Sequence, residues 1–323
     1  MNLTHEKIAV IGGAGFIGSH IVDQLRAEPV REIVVLDNFV RGSRRHLESA
    51  SADARVKIVE GSITDPALVR SVVAGCAGVF HLAALWLFEC VHHPRSALDV
   101  NVTGTWNVIE ACQAAGVNKV VYSSSASVYG DAVTIPMTEE HPFNNRTMYG
   151  ATKIAGEQFF RATYEQHKMD YVGLRYMNVY GPRMDYKGTY VSVIMKVLDR
   201  IESGERPIIW GDGSQAYDFV HVEDVARANV LAMKSDATDV CLNVGCGVQT
   251  TINELVSLLL RLTGSPLEPE YRPNAQMFVT NRVGSTERAA ARIGFDATMP
   301  LERGLASVIE WRARDQYATA GRP

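Results

Sequence analysis

The feature that commits this chain is a short apolar run, KIAVI at Lys7–Ile11, that breaks directly into Gly12-Gly13-Ala14-Gly15-Phe16-Ile17-Gly18. A helical pattern over 16–27 follows at once. The outer glycines allow a tight turn and a close backbone approach, and Gly18 lets the helix pack against the strand. The helix N-terminus then presents unpaired N–H groups and a positive dipole end, which suits a pyrophosphate. Glycine triplets occur in turns of every kind. The strand before this one and the helix after it mark a dinucleotide site.

The first half of the chain keeps that alternation. β-Branched runs at 32–37 (EIVVLD), 56–60 (VKIVE), 78–84 (GVFHLAA, a strand with its exit loop), 119–125 (KVVYSSS) and 170–176 (DYVGLRY) are separated by helical patterns, notably 94–115 and 149–167. Such alternation predicts an α/β fold, a doubly wound parallel sheet of the Rossmann-like, NAD-binding kind. Beyond Tyr180, glycine and proline cluster and the helical segments are set apart by longer loops. Residues 1–180 are expected to form the dinucleotide-binding domain. Return segments near 218–248 should join it, where an amphipathic stretch and the strand-like CLNVG occur. Residues 181–323 should form mainly a smaller C-terminal α/β substrate lobe, with a disordered tail at 318–323.

Charge and composition exclude other classes. With 32 Lys+Arg against 36 Asp+Glu there is no basic field for nucleic acid, and no Lys/Arg-rich stripe. No run approaches the roughly 20 apolar residues of a membrane span, and the polar start lacks a signal peptide's apolar core. Five scattered cysteines, Cys76, Cys90, Cys112, Cys241 and Cys246, fit a reducing cytoplasm. Cys241 and Cys246 have the spacing of a metal half-site, but no second pair follows. They read as a strand residue and a loop residue, and no metal is expected.

Asp37 closes the second strand about 19 residues past Gly18, where an acid can accept hydrogen bonds from the adenosine ribose. A carboxylate there would repel a 2′-phosphate, which favours NAD over NADP. Arg41, Arg44 and Arg45 follow closely and keep NADP open, since they could neutralise that phosphate. Tyr149-Gly-Ala-Thr-Lys153 places a phenol and an ammonium on one helix face. Lys153, together with a positive nicotinamide ring, would favour the phenolate, letting Tyr149 take a hydroxyl proton. SSSASVYG ends a strand about 25 residues earlier, at the sheet edge where ligands bind in this kind of fold. Ser125 would reach the hydroxyl being oxidised. Ser123 and Ser124 read as strand-end residues bonding their own backbone.

GGAGFIG, Asp37, HLAA at 81–84, NVTGT at 101–105, SSSASVYG, YGATK, LRYMNVYGP and DFVHVEDVA occur in this order. The chain thereby resembles the extended short-chain dehydrogenases that modify nucleotide sugars, above all the UDP-glucose 4-epimerases, over nearly its whole length. The resemblance implies tightly held NAD and transient oxidation of a UDP-linked hexose at carbon 4, with Ser125, Tyr149 and Lys153 as the catalytic set. It implies cofactor contacts from Gly12, Gly15, Phe16, Ile17, Gly18, Asp37, Asn38, Ser62, Ile63, Leu82, Ala83, Ala84, Asn101, Ser123, Tyr149, Lys153 and Tyr176. Substrate contacts would come from Ser125, Ala126, Tyr149, Asn178, Tyr217 and Arg272, with Asn178 and Arg272 on the diphosphate. It also implies a homodimer through the helices at 94–115 and 149–167, with Phe159 and Phe160 facing either the partner or the sheet.

Departures from the family pattern bear on the reaction. Sugar 4,6-dehydratases carry two acidic residues where this chain has Ala126 and Ser127, so ordinary dehydration is disfavoured. Ser62 replaces an aspartate expected on the adenine amino group, and Tyr217 replaces an arginine expected on the diphosphate. In the loop LWLFECVHHP, Trp86 and Phe88 would pack on the sheet or line the sugar pocket. Glu89 and Cys90 read as a salt bridge and a buried thiol, or as acids for chemistry at carbon 5. The alternatives are a nucleotide-sugar dehydratase, a 4-reductase, or a non-catalytic dinucleotide sensor.

Overall fold

The computed structural model describes residues 1–186, 192–273 and 281–320. Strands β1 (Lys7–Ile11), β2 (Glu32–Asp37), β3 (Val56–Glu60), β4 (Gly78–His81), β5 (Lys119–Ser125) and β6 (Asp170–Tyr176) come from the first half of the chain. After the two-residue strand β7 (Ala216–Tyr217), β8 (Val240–Val244) returns to join them. The seven-stranded sheet runs β8-β6-β5-β4-β1-β2-β3 with every neighbouring pair parallel. Strand order reverses between β1 and β4, which opens a crevice at their C-terminal ends.

Helices cover both faces, which is why the strands read as continuous apolar runs rather than alternating ones. Ile8, Ala9, Val10 and Ile11 are all fully buried. On one face, α1 (Phe16–Arg26) and α4 (Val222–Lys234) pack side by side, contributing Ile21, Leu25, Val225 and Met233 to one core. On the other, α2 (Thr105–Ala114) and α3 (Met148–His167) contribute Val108, Ile109 and Phe160 to a second. Phe160 stacks on Tyr171 with ring centroids 5.6 Å apart. It therefore faces the sheet, and full burial of such a side chain contributes about 1.5–3 kcal/mol. Phe159 turns the other way and meets Trp106 edge-on.

The helical stretch 94–115 is interrupted by a π-helical segment, Leu98–Gly104, before α2 begins. The wider turn carries Asn101, which is 2% exposed. Helix α3 starts cleanly because the Thr147 hydroxyl accepts from Gly150 N at 3.1 Å.

A third core, including Tyr180, Leu198, Leu255 and Leu305, lies in the C-terminal half. There β7 pairs in parallel with β9 (Asn281–Arg282), and Tyr217 stands in register with Arg282. The last helix, α5 (Leu301–Ala320), runs into the tail expected to be disordered, where Ala318 and Ala320 favour continuation. Residues 321–323 lie outside the described residues.

Candidate active site

The glycine turn is shaped by close backbone approach. Gly12 has φ +85°, and a Cβ there would lie 2.7 Å from Ala83 N. A Cβ on Gly18 would lie 2.2 Å from Gly12 O, so α1 starts against the turn only because that atom is missing. The result is a cavity of about 840 Å³ above β1 and β4. It is lined by every residue assigned to the cofactor from sequence except Asn101.

A dinucleotide fits these walls. The Asp37 carboxylate, 8% exposed, accepts from Ala14 N and Phe39 N, both at 2.9 Å. Each oxygen keeps a lone pair for a ribose hydroxyl. The three arginines that left NADP open are already engaged. Arg41 lies 3.5 Å from Asp185 and 4.4 Å over the Trp86 ring. Arg44 pairs with Glu60, and Arg45 with Asp315 at 2.8 Å. Ser62 lines the cavity with its hydroxyl 2.8 Å from that of Thr64.

Three side chains meet at the inner end. Ser125 ends β5, where its hydroxyl accepts from Ser127 N at 3.1 Å and lies close enough to the Tyr149 phenol to favour its ionisation. Lys153, one turn along α3, donates to Ser123 O at 2.7 Å and stands 5.7 Å from the Tyr149 ring centre. Burial pushes Tyr149 up to about 12, against downward pulls from Ser125, Arg41 and Arg282. Burial likewise lowers Lys153 to about 8, partly opposed by Cys90 and Glu157. The phenol is thus less acidic in the protein alone than the Tyr-Lys spacing suggests. Removal from water outweighs the pulls of Ser125, Arg41 and Arg282, and the positive nicotinamide ring is the remaining charge expected to favour the phenolate.

Other assignments are corrected by the geometry. Ser123 and Ser124 bond neighbouring side chains rather than their own backbone. Ser123 Oγ is 2.8 Å from the Tyr176 hydroxyl, which donates to Asn229 at 2.9 Å. Ser124 donates to Glu157 at 2.5 Å. Asn101 spends its amide on the protein: Oδ1 accepts from Leu85 N at 2.6 Å, while Nδ2 donates to Leu85 O at 2.9 Å and Thr152 at 3.1 Å. It positions the 85–90 loop against α3 and does not line the cavity. Arg272, expected on a phosphate, instead donates to Glu270 at 2.7 Å, with its side chain 42% exposed. Asn178 turns its amide to Asp218 O at 3.4 Å. Ala126 is buried, and Tyr217 stands beside Arg282.

In the 85–90 loop, Trp86 lines the cavity and packs edge-on with Phe88. Glu89 points outward, 4.0 Å from His93, while the Cys90 thiol is buried against Leu85 O. Two features went unseen in the sequence. Glu157 and Arg175 form a buried bidentate pair, at 2.9 and 2.7 Å, under the serine run. Arg282 is a half-buried cation with an enclosed Nε, and its charge reaches Tyr149. Neither carries a local signal, because each depends on contacts between separate elements.

Residues 8–245 match the model of the NAD dependent epimerase/dehydratase family. The chain belongs to that family. It is an NAD-dependent enzyme of the extended short-chain dehydrogenase type, and NAD is its cofactor. A UDP-glucose 4-epimerase of Mycolicibacterium smegmatis is 34% identical over 308 residues, covering 94% of this chain and 98% of that protein. Among solved structures, the UDP-N-acetylglucosamine 4-epimerase of Methanobrevibacter ruminantium, in complex with UDP-N-acetylmuramic acid, superposes with a TM-score of 0.92. It is 30% identical and covers 97% of this chain and 99% of its own. A dTDP-glucose 4,6-dehydratase of Streptomyces venezuelae with bound NAD gives 0.88 at 26% identity, covering 97% and 98%. The family member thus shares its fold with both epimerases and dehydratases.

Proposed function

We propose that this enzyme is a UDP-hexose 4-epimerase. The observation that carries the reading is the Tyr149 phenol under the influence of Ser125, with Lys153 one helical turn away and 5.7 Å from its ring, next to Ala126 and Ser127 rather than two acids. NAD, when bound, supplies the acceptor that takes a hydride from sugar carbon 4 and returns it to the opposite face. Tyr149 takes the proton of the 4-hydroxyl and gives it back after the 4-keto sugar has turned over, with Ser125 sharing that proton. Lys153 holds positive charge next to the phenol as it ionises. Dehydration would need a carboxyl group at carbons 5 and 6. Glu89 is the acid in the adjoining loop, and it is turned out to His93.

Two further parts belong to the same proposal. A homodimer through the 94–114 helices and α3 is supported by Leu98 and Trp106, apolar side chains 41% and 40% exposed on that face. A reducing cytoplasmic setting is supported by five cysteines that are all free. No helix among the described residues is long and apolar enough to cross a membrane.

Turnover of a small UDP-sugar panel, followed by mass spectrometry and cofactor absorbance, tests the reaction. The expected product has the substrate's mass and forms without net consumption of NADH or NADPH. Loss of one water would make the enzyme a dehydratase, and stoichiometric NADPH oxidation a reductase. Tyr149→Phe should lower turnover by about 10²–10⁴-fold while NAD remains bound. Full turnover by that variant would revive a cofactor-sensing protein.

A further inference from the structure

Arg282 lies outside the sequence motifs and outside the cofactor cavity. It sits on the two-residue strand β9, in parallel register with Tyr217, so the two side chains project to the same face. Among the described residues its guanidinium makes no side-chain hydrogen bond or ion pair, and its Nε is buried without a partner. Removal from water lowers its pKa, and the groups that act back on it are Tyr217, Asp131 and Tyr149. Of these only Asp131 is a carboxylic acid. Tyr217 and Tyr149 are phenols that burial pushes further toward the neutral form.

A buried cation without a bonded anion is costly, and proteins ordinarily pair such groups. Among the described residues, the two arginines buried outright follow that rule, and half-buried Arg282 with its enclosed Nε is the contrast. Arg175 is held by Glu157, and Arg312 by Asp199 and Glu202. Arg282 departs from it within electrostatic reach of Tyr149 and in register with Tyr217.

We infer that Arg282 binds an oxyanion of the substrate, taking as ligand the anionic group that sits nearest the sugar ring. This deepens the nucleotide-sugar reading and rests on it. A planar guanidinium with its donors unspent offers two parallel hydrogen bonds to a phosphate or carboxylate. Two sources carry that chemistry: the diphosphate that links sugar to nucleoside, and a carboxylate on the sugar itself. Binding brings the missing countercharge to a cation already desolvated, so the ligand adds an interaction without displacing an internal partner.

Calorimetric titration of the NAD-loaded protein with UDP, UDP-glucose and UDP-glucuronate, native and Arg282→Gln, tests this. If the diphosphate is the partner, the variant binds all three more weakly, by about 10–100-fold. If a sugar carboxylate is the partner, only UDP-glucuronate weakens. Equal affinities of native and variant for all three ligands overturn the inference. Should Arg282→Gln not fold, Arg282→Lys carries the test, because it keeps the charge and loses the planar fork. It should weaken the same ligands by roughly three- to tenfold, and unchanged affinity again overturns the inference. A native protein that binds none of the three while keeping NAD would instead overturn the nucleotide-sugar reading itself.

Discussion

The two walls of the cleft handle charge in opposite ways. On the cofactor side, Arg41, Arg44 and Arg45 each face a carboxylate. On α1 and β4, the elements behind that side, His20 and His81 stay neutral because burial pushes both down to about 3. On the side proposed to take the sugar, Arg282 is a half-buried cation with no ion pair among the described residues, and Lys153, buried where the cofactor cavity meets that side, has none either. In the proposed reaction NAD stays bound, so its wall can settle into paired charge. The sugar wall meets a new ligand at every turnover and keeps its charges unspent, at a cost in stability.

The largest test of this contrast is Lys153→Met. Turnover should fall by about 10²-fold or more, in the range for a lost acid–base partner. Stability should hold or rise. Burial lowers Lys153 to about 8, so near pH 7 its charge is maintained against its surroundings at about 3 kcal/mol. The lost bond to Ser123 O offsets part of that gain. Kinetics and a thermal melt on one preparation check both halves, and a fall of several degrees in Tm would break the comparison.

Acid should act next, and on the other wall. His20 Nε2 lies 3.0 Å from Pro182 O, and His81 Nε2 lies 3.0 Å from the Thr105 hydroxyl. Above pH 6.5 both are neutral folded or unfolded, and their contribution is complete. As pH falls from 6.5 toward 3, the unfolded chain takes up protons that the native protein refuses. Each histidine then removes about 1.4 kcal/mol of stability per pH unit. Denaturant melts between pH 7 and pH 4 should show a steady decline that His81→Gln makes shallower. A flat profile would mean that the cofactor wall is less settled than described.

The smallest effect belongs to Arg44→Ala. Arg44 and Glu60 are 64% and 62% exposed, so losing the pair should change stability by no more than about 0.5 kcal/mol. The preference for NAD over NADP in cofactor titrations should not move. A shift toward either would show that the basic loop reads the ribose, and would sharpen where paired charge ends and recognition begins.

The same division governs what could be read from the amino acids. The first six strands were legible to within a few residues because fully buried strands are continuous apolar runs between turn signals. Tyr149, Lys153 and Ser125 were legible because a four-residue helical spacing and a strand end are local facts. Two-residue strands such as β7 and β9 have no period to detect. The placement of Arg282 beside Tyr217 therefore emerges only when residues 65 apart in the chain are paired. The Arg272–Glu270 pair was hidden for the same reason, since a YRP motif does not reveal that Glu270, two residues back, holds the guanidinium. The acidity of Tyr149 was out of reach because it depends on how much water the fold removes.

Helix α5 gives this arrangement a rim. Its Asp315 grips Arg45 from the loop after β2 and the hydroxyl of Tyr186, and all three line the dinucleotide cavity together with Trp311. The chain's last long element is thereby laced to the loop after its second strand at the rim of that cavity. Fraying at the C-terminal end of α5 is therefore expected to loosen that rim of the cavity.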